Sequence, residues 1–306
     1  MIISFWQFDK GEYYMGIATI YKSVDGKNKI QEAYEDYLEA FSLRLERAYV
    51  KTRFGNTHLL ITGPKNAKPL IILQGGNAIN PMTLYWFKEL FHHYRIYAPD
   101  TIGHPGYSDE TRISAKDHSF ANWISDIMDW FQLEKSAFIG PSYGAGIILR
   151  LATFQPERIA CAVLINPSGI QLGSKKDMLR HVILPLVSYH RNRSEASLTT
   201  ITNALSAGVM TDQDRQLIGN IFSHVKLEKN MPKLTTRKEL RNYHSPTMVI
   251  TGERDIFFPN RRVMKYAQQI IPNLISYHTF DMGHFPSTSN LEQIQTEIYT
   301  FLQEQY

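Results

Sequence analysis

Residues 136–146 read Ser-Ala-Phe-Ile-Gly-Pro-Ser-Tyr-Gly-Ala-Gly, and they constrain the fold of this chain more than any other stretch. Short apolar residues run into Gly140-x-Ser142-x-Gly144, and an amphipathic run from Ile147 to Ala152 follows at once. That order spells strand, sharp turn, helix. A serine held on such a turn stands above a parallel sheet, an arrangement called a nucleophile elbow. A serine hydroxyl is a weak nucleophile and acts only when presented to a base and to a substrate. Small residues at Gly140 and Gly144 let the strand and helix pass closely, and Gly146 lets the helix lie flat on its neighbours. The Tyr143 N–H opens the helix, where unpaired donors and the helix dipole favour an anion. The competing reading, a glycine-rich turn without chemistry, is answered by the flanking pattern and by the partners downstream.

Around this stretch the chain alternates strand and helix. Residues 1–26 read as an N-terminal extension, with Gly16–Tyr21 as a short strand or part of a helix and Asp25-Gly26 as a turn. Ile30, Tyr34, Tyr37, Leu38, Phe41 and Leu45 recur at helical spacing, which predicts an amphipathic helix from Asn28 to about Arg47. A hairpin is expected over 48–53 and 57–62, turning at Phe54-Gly55-Asn56. Pro69–Leu73 is a continuous apolar run, as in a central parallel strand buried on both faces. It ends in Gln74-Gly75-Gly76-Asn77, and open α/β sheets place their ligand sites at the carboxyl ends of such strands. Backbone N–H groups there, with that of Tyr143, would complete an oxyanion hole. A helix is predicted over 84–93 and a strand over 95–98. Asp100 then reads as a residue that ties down its own loop through backbone N–H groups.

A helix with the buried stripe Phe120, Ile124, Ile127, Met128 and Phe131 precedes the elbow. Ile159–Ile165 is a further strand. The alternation then breaks. From about Gly169 to Asn242 only helical stretches appear, over 176–190, 194–208 and 212–224, which reads as a cap inserted over the strand ends. Strand logic resumes at Thr247–Ile250. A helix spans 261–270, Leu274–Phe280 is the last strand, and a capping box of Ser289 and Glu292 is expected to open the final helix.

Ser142, Asp255 and His284 each stand just past a predicted parallel strand, so one sheet edge gathers them. The order Ser, Asp, His suits this architecture. The hydroxyl needs a neutral imidazole to take its proton, and the imidazole needs a carboxylate to hold its tautomer. Glu253 and Asp281 are rival acids, but Asp255 sits further into its loop. His92, His93, His118, His181 and His190 fall on helices or loops away from strand ends and read as surface or packing residues.

Composition removes several function classes. The chain has 306 residues, 43% hydrophobic and 20% charged, enough for a large core. Its 33 basic and 29 acidic residues leave a net +4, which reads as spread along the chain and speaks against a nucleic-acid partner. No stretch approaches the ~20 apolar residues of a membrane helix, and the short apolar N-terminus lacks a basic n-region. No membrane partner is expected. The single Cys161 excludes an internal disulfide and suits a reducing compartment, so a cytoplasmic protein is expected. No Walker, dinucleotide or metal-ligand spacing is present, so no cofactor is implied.

These motifs resemble the α/β-hydrolase superfamily over about residues 48–306. Leu73-Gln74-Gly75-Gly76, the run Asp100 to Ser108, Gly140-Pro141-Ser142-Tyr143-Gly144 and Gly283-His284 fall in the family's order. Lys51 to His58, Ala121-Asn122-Trp123 and Glu134-Lys135-Ser136 are similar to bacterial carboxylesterases of the naproxen-esterase type. The resemblance implies a mostly parallel eight-stranded sheet flanked by helices. The hydrolase domain would span 27–306, with a helical cap inserted after strand 6 at about 169–242. It further implies Ser142 as nucleophile, His284 as base, Asp255 as orienting acid, and Gly76 or Asn77 with Tyr143 as oxyanion donors. A small-molecule carboxylic ester is the implied partner, with a homodimer allowed. Gln74 departs from the family's usual His-Gly, which puts loop geometry and substrate preference in question. A serine nucleophile argues against dehalogenases and epoxide hydrolases, which carry Asp there. Amide, lactone or carbon–carbon bond hydrolysis is the rival chemistry, and a ligand receptor or scaffold the rival class.

Overall fold

The computed structural model describes residues 19–41 and 45–306. Residues 1–18, including Gly16–Ala18 of the segment read as strand or helix, lie outside the described residues. Eight strands form one sheet: β1 Glu46–Thr52, β2 Gly55–Thr62, β3 Pro69–Ile72, β4 Arg95–Pro99, β5 Ser136–Pro141, β6 Ile159–Ile165, β7 Thr247–Gly252 and β8 Leu274–Phe280. Their spatial order is β1-β2-β4-β3-β5-β6-β7-β8. The pairs β1–β2 and β2–β4 are antiparallel and all later pairs are parallel.

The order explains where a site forms. From β3 the chain steps outward to β4 and then returns to place β5 on the other side of β3. The loops leaving β3 and β5 therefore diverge at a topological switch point, where α/β sheets open a crevice. Alternation along the central strands gives the sheet two buried faces. Leu70 and Ile72 point into one half of the core, and Ile71 and Leu73 into the other. Helices α1 (Val24–Glu39) and α2 (Asn80–Tyr85) cover the first half. Helices α3 (Ser119–Trp130) and α4 (Tyr143–Phe154) cover the second.

Between β6 and β7 the chain is helical. It runs through α5 (Lys175–Met178), a π-helical turn (Leu179–Ile183), α6 (Leu184–Asn192), α7 (Glu195–Ser206) and α8 (Asp212–His224). Side chains of Ser174, Ser194 and Thr211 cap α5, α7 and α8 by accepting backbone N–H groups. The π turn ends two residues before Pro185, whose ring lacks a donor and crowds the preceding turn. These helices share a small core of Tyr189, Leu198, Ile201, Leu205, Ile218 and Phe222. Helices α9 (Asn260–Ile270) and α10 (Thr288–Gln305) complete the two layers. Among the described residues no helix is long and apolar enough to cross a membrane.

Three local expectations fail for identifiable reasons. The first helix starts at Val24, capped by Ser23, and ends at Glu39 rather than near Arg47. Phe41 and Leu45 continue the apolar spacing because both pack on the core, but β1 begins at Glu46, opposite Ile61. The helix expected over 84–93 is the short α2 plus a 3-10 turn, Lys88–His92. Leu84, Phe87 and Leu90 are all buried at three-residue intervals, the 3-10 period. The last helix is opened not by Ser289 and Glu292 but by Ser287 and Asn290, each side chain engaging the other's backbone N–H.

Candidate active site

Strand β5 is buried along its whole length and delivers Ser142 at φ 52°, ψ −113°. A left-handed φ is strained for a residue with a Cβ and persists only where its surroundings over-determine it. Here they do. The Ser142 N–H donates to Ile165 C=O (2.8 Å), and its C=O accepts from Gly146 N–H (3.2 Å) and from the Ser168 N–H and hydroxyl (3.2 and 2.9 Å). A Cβ at Gly144 would come within 2.7 Å of Leu73 C=O, so α4 approaches the end of β3 this closely only with glycine there. Ser142 is half-buried, and its hydroxyl makes no hydrogen bond among the described residues.

The carboxylate and imidazole come from the two strands beyond β6. Asp255 follows β7 and its side chain is fully buried, while His284 follows β8 and its side chain is 11% exposed. His284 Nδ1 lies 2.9 Å from Asp255 Oδ2, and Asp255 Oδ1 accepts from the N–H groups of Phe257 (2.7 Å) and Phe258 (3.2 Å). The His284 ring packs among Phe257, Phe258 and Phe285. Both rival acids are exposed, and Asp281 pairs instead with Arg254 (2.7 Å). His92, His93, His118, His181 and His190 are all exposed.

One buried residue joins the three loops. Asn166, at the end of β6, accepts from Gly252 N–H through Oδ1 (2.8 Å) and donates from Nδ2 to His284 C=O (3.0 Å). Its backbone N–H donates to Ile250 C=O (2.8 Å). The elbow hangs from the residue before it, Ile165. Asn166 itself sits at φ 41°, a conformation Asn tolerates better than most residues. The sequence marks this position only as a strand end followed by Pro167, so its cross-bracing was missed.

The loop after β3 is clamped from two sides. Gln74 is fully buried. Its Nε2 donates to Ala78 C=O (2.8 Å) and its Oε1 accepts from Thr101 N–H (3.1 Å). The amide in place of the family's usual histidine thus ties this loop to itself and to the loop after β4. Asn77, at φ 51°, donates through Nδ2 to Glu228 C=O (3.0 Å) and accepts from Glu228 N–H (2.7 Å). Gly76 lies against Tyr143, where an added Cβ would sit 3.0 Å from the tyrosine Cβ. Gly75 N–H is taken by Thr83 Oγ1 (3.3 Å), whereas the Gly76 and Asn77 N–H groups have no acceptor among the described residues.

Asp100 does tie down its own loop, accepting from Tyr107 N–H (2.8 Å). It also accepts from Tyr34 OH (2.8 Å) and lies 3.0 Å from His58 Nδ1 in a fully buried pair that sequence reading missed. His104, in the same loop, packs on Tyr143. Burial pushes its imidazole down from 6.5 to about 4, so it is neutral at physiological pH. Burial likewise pushes the Cys161 thiol up to about 12, which leaves it inert as a nucleophile. Among the described residues no cluster of three or more His, Cys, Asp or Glu is arranged to hold a metal ion. A groove of about 680 Å³ opens near Trp86, Pro286 and Tyr299, but neither Ser142 nor His284 lines it.

Residues 68–290 match the model of the alpha/beta hydrolase fold family. The chain belongs to the α/β-hydrolase family. Carboxylesterase YbfK of Bacillus subtilis is 25% identical over 291 residues, covering 92% of this chain and 96% of that protein. The uncharacterized carboxylesterase nap of the same organism is 24% identical over 286 residues, 90% and 93% of the two chains. The crystal structure of naproxen esterase from Bacillus subtilis superposes with a TM-score of 0.79 at 22% identity, over 92% of this chain and 99% of that one. The α/β-hydrolase sheet, its flanking helices and membership among hydrolytic enzymes are therefore established for this chain.

Proposed function

We propose that this α/β-hydrolase is a serine carboxylesterase acting on small or medium apolar esters through Ser142, His284 and Asp255. The observation that carries the reading is the 2.9 Å pair of His284 with a fully buried Asp255, on the sheet edge that also holds the strained Ser142. Asp255 fixes the imidazole with Nδ1 protonated, which leaves Nε2 free to take the serine proton. Ser142 Oγ attacks the ester carbonyl, and His284 passes that proton to the leaving alkoxide. The oxyanion is held by the Tyr143 N–H and the free N–H of Gly76 or Asn77. Water, deprotonated by His284, then releases the acid from the acyl-enzyme. A serine hydroxyl without a hydrogen bond before substrate arrives fits this scheme, because such contacts often tighten only in the Michaelis complex.

The same proposal reads residues 169–242 as a cap over the site and residues 1–26 as an N-terminal extension to a hydrolase domain over 27–306. The α7 carbonyl of Leu205 accepts from the N–H groups of His284 (2.7 Å) and Phe285 (3.0 Å), which supports a cap anchored on the histidine loop. A second reading, carbon–carbon bond hydrolysis, draws on the 2-hydroxymuconate semialdehyde hydrolase of Pseudomonas putida. That protein is 24% identical over 69% of this chain and 77% of its own length. A panel of p-nitrophenyl esters, lactones, anilides and vinylogous 1,5-diketones tests both readings. Short acyl esters turned over fastest, with all turnover lost in Ser142→Ala, is the expected result. Faster cleavage of the diketones would favour the second reading, and full esterase activity in Ser142→Ala would refute both.

A further inference from the structure

The first helical run of the insertion, residues 175–193, has an outer face that the proposed chemistry does not use. Its inner side is buried, with Val182 and Tyr189 packed inward. Its outer side exposes Leu179 (51%), Ile183 (42%), Leu184 (57%) and Val187 (52%). Leu179, Ile183 and Val187 recur every four residues, so they line up as one ridge along the helix. Single exposed apolar side chains are ordinary, but a contiguous set marks a surface that meets something.

The charges around the ridge say what it meets. Lys175, Lys176, Arg180 and Arg191 are all exposed, and none has a carboxylate partner among the described residues. Residues 175–193 hold five Lys or Arg against the single acid Asp177, a net +4 that equals the net charge of the whole chain. This exposed helical run thus carries a local excess of positive charge. An apolar ridge flanked by unpaired cations is the pattern of a helix that lies in a lipid–water interface.

We propose that this face docks on an anionic lipid bilayer, with the ridge among the headgroups and the cations against lipid phosphates. The inference goes beyond the esterase reading and stands without it. It runs against the expectation of no membrane partner, which was drawn from the lack of a spanning stretch, whereas lying on a surface needs only one apolar face. A second copy of the chain is the poorer occupant, because a two-fold contact would set the same four cations against one another.

The test is co-sedimentation of the full chain with vesicles of phosphatidylcholine containing phosphatidylglycerol, beside vesicles of phosphatidylcholine alone. Binding is expected to the anionic vesicles at low salt and to weaken as salt rises. Each cation near such a surface strengthens partitioning about fivefold. Lys176→Gln combined with Arg180→Gln is therefore expected to weaken it about 25-fold. Ile183→Ser combined with Val187→Ser is expected to weaken it by at least about tenfold. Unchanged thermal melts by circular dichroism show that both variants fold. No sedimentation of wild type with anionic vesicles at low salt overturns the proposal, as does wild-type binding by both variants. A wild-type dimer in sedimentation velocity that the Ile183→Ser, Val187→Ser variant dissolves assigns the face to self-association and overturns it as well.

Discussion

Replacing Asn166 by alanine probes the brace between the site loops. The side chain is 1% exposed and makes two good hydrogen bonds, to Gly252 N–H and to His284 C=O. Alanine strands both groups in the interior, where each unmet partner costs about 1–3 kcal/mol. The left-handed φ of 41° adds about 1 kcal/mol for a residue that, unlike Asn, has no polar side chain to compensate. The expected loss is about 3–7 kcal/mol, a fall in Tm on the order of 10 °C for a chain of this size. Because one lost bond holds the His284 backbone, kcat on a soluble ester is expected to drop by at least about tenfold, with KM changing less. Asn166→Gly separates the two contributions, since it relieves the backbone but leaves both groups unpaired. It should recover only about 1 kcal/mol. Differential scanning calorimetry and steady-state kinetics read both effects. An Asn166→Ala enzyme with wild-type Tm and kcat would refute the idea that this residue holds the site loops together.

Other outcomes follow from the same geometry. Gln74→Ala removes the two side-chain ties that Gln74 gives the loop after β3 and is expected to lower kcat about tenfold, measured on the ester that wild type turns over best. Gly144→Ala drives a Cβ to 2.7 Å from the Leu73 carbonyl. It is expected to cost about 2 kcal/mol or more in denaturant unfolding, because backbone must move on both sides. Burial holds the His104 imidazole at about 4, below its ordinary 6.5. The stability this confers is fully present above about pH 6.5 and is lost as pH falls toward 4, about 3 kcal/mol in all. His104→Phe should flatten that part of the stability–pH curve in urea titrations from pH 4 to 7.

Legibility in the sequence followed physical reach. The first two strands were readable as a hairpin and the later ones as short runs bounded by turn residues, and Ser142, Asp255 and His284 were proposed because each stands a few residues or less past such a strand. Asp255 over Glu253 rested on loop position alone, and the structure adds its burial and its 2.9 Å contact with His284. Asn166, His58 and the Asn77–Glu228 clamp were not legible, since each meets partners between 42 and 151 residues away in sequence. The overshoot of the first helix had a different cause. Phe41 and Leu45 keep helical spacing while serving the core from beyond the helix end. The ridge on residues 175–193 escaped because apolar residues at helical spacing ordinarily face inward, whereas these face out of the fold.

The proposed esterase chemistry stands on Ser142 being a nucleophile activated by His284 and Asp255. Labelling of the folded protein with a fluorophosphonate, followed by peptide mass spectrometry, tests it most directly. The account predicts one modified residue, Ser142, with labelling slowed by at least about 10³-fold in His284→Ala and in Asp255→Ala. Modification elsewhere, or labelling of Ser142 at the wild-type rate when His284 is gone, would contradict it.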